Sequence, residues 1–157
     1  MSKILITGFA GMIGSYVVKD LLAKGHQIVG VDRRESDYRH ENLKQVVLDL
    51  SDKKALNELF EREKVDRCIH LAALAHFAGE DDLSFERFKF VNVTCAENVF
   101  GACVGHNVPV LFISTVDAIG MVKEGTRLNV VGLMRKLVPS ENGDNIVYKY
   151  VNKSKIQ

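Results

Sequence analysis

Eight residues near the start of the chain, "TGFAGMIG" (7–14), have the types and spacing to hold a diphosphate. Gly8, Gly11 and Gly14 repeat as G-x-x-G-x-x-G between a strand-like run and a helical pattern. Each has its own task. Gly8 permits the tight turn, Gly11 lets the backbone approach the diphosphate, and Gly14 lets the helix pack closely on the strand. The helix then offers free N–H groups and a partial positive charge to the phosphates. Ala10, Met12 and Ile13 are expected at the cofactor beside these glycines. Asp32 ends the next apolar run, 18 residues beyond Gly14. A carboxylate there accepts hydrogen bonds from a ribose 2′-OH. A glycine triplet alone also fits a plain strand–helix turn. With strand, helix and acid all in place, dinucleotide binding is the better reading. Asp32 would repel a 2′-phosphate, which favours NAD. Arg33, counted among the cofactor residues, and Arg34 keep NADP open, because a guanidinium can hold that phosphate. The plain alternative is a solvated basic pair.

These residues need a scaffold, and the first hundred residues supply its pattern. Continuous apolar runs at 3–7, 27–31, 45–50, 66–72 and 108–114 read as strands buried on both faces. Helical patterns lie between them. Ile13, Val17, Val18, Leu21 and Leu22 form one, closed by Gly25. Leu56, Leu59 and Phe60 mark a second over 52–63, and residues 84–106 read as one long helix with Phe88, Val91, Cys95, Val99 and Cys103 inward. The alternation predicts an α/β fold, a Rossmann-like doubly wound parallel sheet of five strands with helices on both faces. A sixth strand is left open. The dinucleotide-binding domain is placed at 1–120, with 121–157 a divergent or truncated tail packed on it and no separate substrate domain.

At 157 residues the chain can bury about two thirds of its unfolded surface. Its net charge of +1, with both signs interspersed, gives no electrostatic footprint for nucleic acid or an anionic membrane. No apolar run reaches membrane-spanning length, and the N-terminus goes directly into a strand-like run. Cys68, Cys95 and Cys103 form no C-x-x-C and read as small buried hydrophobes in a reducing cytoplasm. His70 and His76 fit no metal spacing, so supporting or packing roles are favoured and no metal is expected.

The form T-G-x-x-G-x-x-G resembles the extended short-chain dehydrogenase/reductase superfamily, and specifically the NAD-dependent epimerase/dehydratase family. Four further segments carry the resemblance in the right order over residues 1–120. "LDLSD" (48–52) is similar to the family's Asp-apolar pair, so Asp49 and Leu50 would border the adenine. "HLAALA" (70–75) is similar to its H-x-A-A segment, so Leu71, Ala72 and Ala73 would lie against the cofactor. Asn92 matches its structural asparagine. "FISTVDAIG" (112–120) resembles the stretch ending V-Y-G, with Ile119 at the tyrosine position. This alignment puts Thr115 on the catalytic Ser/Thr and Ser114 beside it, at the cofactor. The resemblance implies an oxidoreductase acting on nucleotide sugars or related polyols.

In such enzymes a tyrosine acts as general base or acid, and a lysine four residues on lowers its pKa. Here Tyr150 meets Lys153 at i+3 and Lys155 at i+5, but Ser154 at i+4. The pair is out of register by one residue, and i+5 is rotated well away on a helix. Two readings of the tail stay open. Residues 148–155 begin the catalytic helix of a shortened family member, or a helix over 126–138 crosses over and 146–151 pairs beside the fifth strand. Three functions follow: an active enzyme, a catalytically incomplete NAD(P)-binding module, and a remnant that self-associates to cover its sheet edge.

Overall fold

The computed structural model describes residues 1–74 and 85–113. Five strands form one sheet: β1 (Lys3–Thr7), β2 (Gln27–Asp32), β3 (Leu43–Val47), β4 (Arg67–His70) and β5 (Val110–Phe112). All neighbours are parallel and the order is β3-β2-β1-β4-β5. This is the Rossmann-like doubly wound sheet that the alternation predicts.

Successive side chains of the inner strands serve opposite faces. Ile4, Ile6 and Ile28 pack with Val18 and Leu22 of α1 (Met12–Ala23). Leu5, Val29 and Val31 pack with Leu56, Leu59 and Phe60 of α2 (Lys53–Glu63) and with Val99 and Cys103 of a later helix. Strands buried on both faces read as unbroken apolar runs, which is why these two were legible. Gly25 ends the first helix at φ +80°, and the His26 N–H reaches back to the Leu21 carbonyl at 3.1 Å. That is the glycine stop expected of position 25.

Three strands are shorter or shifted relative to their apolar runs. The third covers 43–47, not 45–50. Its partner β2 ends at Asp32, whose carbonyl accepts the Leu48 N–H at 2.9 Å as the last rung. The fourth stops at His70 rather than Ala72, and β5 pairs only over the three residues facing Cys68, Ile69 and His70. Apolar composition marks burial, whereas the ladder sets strand length.

The long helix expected over 84–106 is described from Phe85 and divided. It runs as α3 (Phe85–Lys89), a π turn (Phe90–Thr94) and α4 (Cys95–Gly105). Within it the Cys95 N–H donates to the Phe90 carbonyl, five residues back. Cys95, Val99 and Cys103 are buried as expected, whereas Phe88 and Val91 are half-buried. Ile13, at helical spacing with the core residues of α1, is instead exposed. Among the described residues no helix is long and apolar enough to cross a membrane. All three cysteines are buried free thiols.

Candidate functional site

The strand order reverses at β1, whose two neighbours are β2 and β4. In such sheets a crevice opens outside the carboxyl ends of the strands. Gly8 stands there at φ +70°, its N–H bonded to the Val31 carbonyl at 2.8 Å. A Cβ on it would lie 2.7 Å from the Ala72 nitrogen. A Cβ on Gly14 would overlap the Gly8 carbonyl oxygen and stand 2.7 Å from Phe9 Cα. The fold itself therefore requires glycine at both positions. Gly11 differs. Its nearest obstacle is the Gly8 oxygen at 3.2 Å, and its φ of −76° suits any residue. A side chain there would need the Gly8 carbonyl to give by a few tenths of an ångström, so packing constrains Gly11 less than Gly8 or Gly14, and a close approach from outside is a further reason for glycine. No side chain caps the start of α1 at Gly11. Met12 and Ile13 follow, exposed at 79% and 56%. A bare helix start, a close backbone approach and flanking apolar side chains suit a dinucleotide diphosphate.

Asp32 ties this loop to the end of β2. One carboxylate oxygen accepts the Ala10 N–H at 3.2 Å and the other accepts the Arg33 N–H at 2.8 Å. The carboxylate is half-buried and keeps acceptor capacity for a hydroxyl. Asp49 accepts the Ser51 N–H at 2.9 Å. This hydrogen bond, with one from the Ser51 hydroxyl and the charge of Arg33, holds its carboxyl below the usual carboxylate range. Burial pushes the nearby Cys95 thiol up, and the Asp49 charge adds to the effect while Arg33 opposes it.

On the other side of β1, Thr7 organises the turn after β4. Its carbonyl accepts the Leu71 N–H at 3.2 Å and its Oγ1 accepts the Ala72 N–H at 3.3 Å. Oγ1 also lies 2.7 Å from His70 Nδ1. Burial pushes the His70 pKa down to about 4, so the ring is neutral near pH 7. One hydrogen bond joins the hydroxyl and Nδ1, its proton on the hydroxyl or on the ring according to the tautomer. Phe100 and Phe112 rings pack around the imidazole at 5.6 and 5.9 Å. His70 is thus the buried packing residue that its spacing suggested. Leu71, Ala72 and Ala73 then follow the end of β4, with Ala73 exposed.

Two asparagines hold the loops beyond. Asn92, in the π turn, accepts the Leu74 N–H at 2.7 Å and donates to the Leu74 carbonyl at 2.9 Å. This is the structural role that the family match implies. Asn98 of α4 donates to the Leu50 carbonyl at 3.0 Å, and sequence reading passed over it. It also passed over the contact of Phe9 with Gly30, where a Cβ would lie 2.6 Å from the ring. A glycine inside an otherwise apolar strand was the available signal for that close approach. Nothing comparable marks Asn98. The structure thus brings Gly8, Ala10, Gly11, Met12, Ile13, Gly14, Asp32, Leu71, Ala72 and Ala73 to the carboxyl end of the sheet around β1, with Arg33, Asp49 and Leu50 beyond the ends of β2 and β3. Ser114, Thr115, Tyr150, Lys153, Lys155 and His76 lie outside the described residues, as do the helix and sixth strand expected in the tail.

The family model described as the NAD dependent epimerase/dehydratase family matches residues 4–132. A UDP-N-acetyl-alpha-D-glucosaminuronate decarboxylase of Bacillus cytotoxicus is 30% identical over 124 residues, covering 75% of this chain and 38% of the relative. A UDP-glucose 4-epimerase of Caenorhabditis elegans is 32% identical, covering 67% of this chain and 35% of its own length. Among solved structures, the Bordetella bronchiseptica enzyme WbmH in complex with NAD+ aligns with a TM-score of 0.70 at 28% identity, over 82% of this chain and 45% of that one. A UDP-Glc/GlcNAc 4-epimerase from Campylobacter jejuni also aligns at 0.70, with 29% identity over 82% of this chain and 43% of that one. The chain spans less than half the length of each of these relatives.

Proposed function

The chain belongs to the NAD-dependent epimerase/dehydratase family, and from that premise we propose that residues 1–120 bind NAD for hydride chemistry on a nucleotide sugar. The carrying observation is Gly11, the glycine of the triplet that internal packing constrains least. Its bare approach at the start of α1 receives the diphosphate. Asp32 accepts hydrogen bonds from the adenosine ribose and repels a 2′-phosphate, which selects NAD over NADP. Asp49 and Leu50 border the adenine, while Leu71, Ala72, Ala73 and Ser114 face the cofactor along its length. When bound, NAD supplies the hydride acceptor. Thr115 orients the reacting oxygen of the sugar. Tyr150 takes or returns its proton, aided by Lys153 or Lys155, whose charge favours phenolate. The relatives' nucleotide-sugar names support this substrate class, and the three buried free thiols support a reducing cytoplasm.

The register of Tyr150 and its lysines favours a second reading, in which the unit holds NAD without turnover. Calorimetry with NAD, followed by assay of a UDP-hexose with the folded chain, separates the two. The enzymatic reading expects NAD binding, turnover, and loss of turnover in Tyr150→Phe with NAD affinity unchanged. Binding without turnover establishes the module instead. Absence of NAD binding by the folded chain rejects both.

A further inference from the structure

We infer that Asn98 is a positioning residue for the adenine half of the cofactor, acting through the backbone of Leu50. The inference rests on the cofactor reading above and extends it to a residue that touches no ligand. Residues 48–52 leave the sheet where β3 ends, beside Asp32. The Leu48 N–H bonds to the Asp32 carbonyl at 2.9 Å, so the loop lies against the strand end that carries the ribose-binding acid. Asp49 then accepts the Ser51 N–H, and the Asp52 N–H closes on the Asp49 carbonyl at 3.0 Å. These bonds are local and fix the curl of the loop. The Leu48 bond and the packing of Leu48 and Leu50 on the core hold the loop to the sheet, but none of these contacts partners the Leu50 carbonyl.

Asn98 supplies that partner. Its Nδ2 donates to the Leu50 carbonyl at 3.0 Å and lies 3.5 Å from the Ser51 carbonyl, across 48 and 47 residues of sequence. Its helix is itself buried against the sheet, with Val99 at 0% and Cys103 at 1% exposure on the inner face. A rigid helix therefore holds the peptide unit of the residue expected against the adenine. Asn92 does the same for Leu74 after β4. The two amides divide the crevice, with Asn98 on the adenine side and Asn92 on the side after β4.

The division makes the test specific. The folded full chain is titrated with AMP and with nicotinamide mononucleotide, as wild type and as Asn98→Leu, which keeps similar volume but donates nothing. The Leu50 carbonyl loses its partner, so AMP affinity is expected to fall about tenfold. Affinity for the mononucleotide stays within about twofold, because the loop after β4 keeps its own clamp. Amide hydrogen exchange in 48–53 speeds up without any ligand present. Asn98→Ser keeps a hydroxyl donor, falls between the two in AMP affinity, and carries the test if the leucine variant does not fold. Unchanged AMP affinity in a folded variant overturns the inference, as does an equal fall for both mononucleotides, which marks general loosening. Faster exchange with unchanged AMP affinity leaves the cofactor reading standing while removing this role for Asn98. Failure of the wild type to bind NAD or AMP overturns the cofactor reading and the inference with it.

Discussion

Gly11 and Gly14 are three residues apart and identical in type, yet they answer to different constraints. Alanine at Gly14 drives its Cβ into the Gly8 carbonyl and the Phe9 backbone. Main chain cannot move aside cheaply, so Gly14→Ala is expected to cost about 3 kcal/mol or more in a urea titration. Gly11→Ala meets only one oxygen at 3.2 Å and should stay within about 1 kcal/mol of wild type. On the proposed function it should still lose at least about tenfold in NAD affinity, read by calorimetry. A Gly11→Ala chain that binds NAD normally would remove the main support for the site. His70 carries a second prediction. Its pKa lies at about 4 when folded, against an ordinary 6.5. The unfolded chain therefore binds a proton more readily between these values. The stability His70 permits is complete above pH 6.5 and falls away as pH drops towards 4, by about 3 kcal/mol at most. His70→Gln should flatten the urea midpoint over that window, and a profile as steep as wild type would show that another group is responsible. The glycines were legible because turn chemistry is local. The Thr7–His70 contact was not, because it exists only once β1 and β4 are neighbours, 63 residues apart in sequence.

Among the elements, the amino ends of β1 and β3 are joined to the carboxyl end of α2 by one carboxylate. Glu63 pairs with Lys44 at 2.7 Å and with Lys3 and Arg62 at 3.0 Å, and its own side chain is 4% exposed. The hydrogen bond from Lys44 leads in holding its pKa down at about 2, against an ordinary 4.5. Its contribution is complete above pH 4.5 and is lost as pH falls towards 2. The shift corresponds to roughly 3 kcal/mol, and solvent around the partly exposed partners brings this nearer to about 2. Glu63→Gln should therefore lower stability at pH 7 by about 2 kcal/mol and converge on wild type near pH 2, as followed by thermal melting. A constant difference across that range would show that packing, not charge, is at stake. Composition and periodicity placed the five strands and the main helices but not their ends. Val47 is 56% exposed on an edge strand, and no apolar run could announce that the third strand would stop there. The π turn was equally silent, since Phe90–Thr94 keeps helical composition while its hydrogen bonds step back five residues.

For the whole molecule, the order of motifs was more informative than any motif alone. Gly8, Asp32, Asp49 and Ala72 lie at the carboxyl ends of four different strands; the parallel direction puts them at one edge, and the order β3-β2-β1-β4-β5 sets which are neighbours. A family resemblance read in sequence order carried that gathering before any contact was known. What stayed illegible was the support behind it, above all Asn98, whose partner lies 48 residues away. The two ends of the sheet are secured by different physics. The amino edge relies on ion pairs whose lysines are 32% and 54% exposed, within reach of dissolved salt. The carboxyl edge relies on side-chain amides, a hydroxyl and main-chain groups, with the Asp32 and Asp49 carboxylates bonded to backbone N–H groups. Ionic strength can screen the first and has little hold on the second. Salt should loosen the base of the molecule while the shape of its binding edge persists, so durability and recognition are separately adjustable in one small sheet.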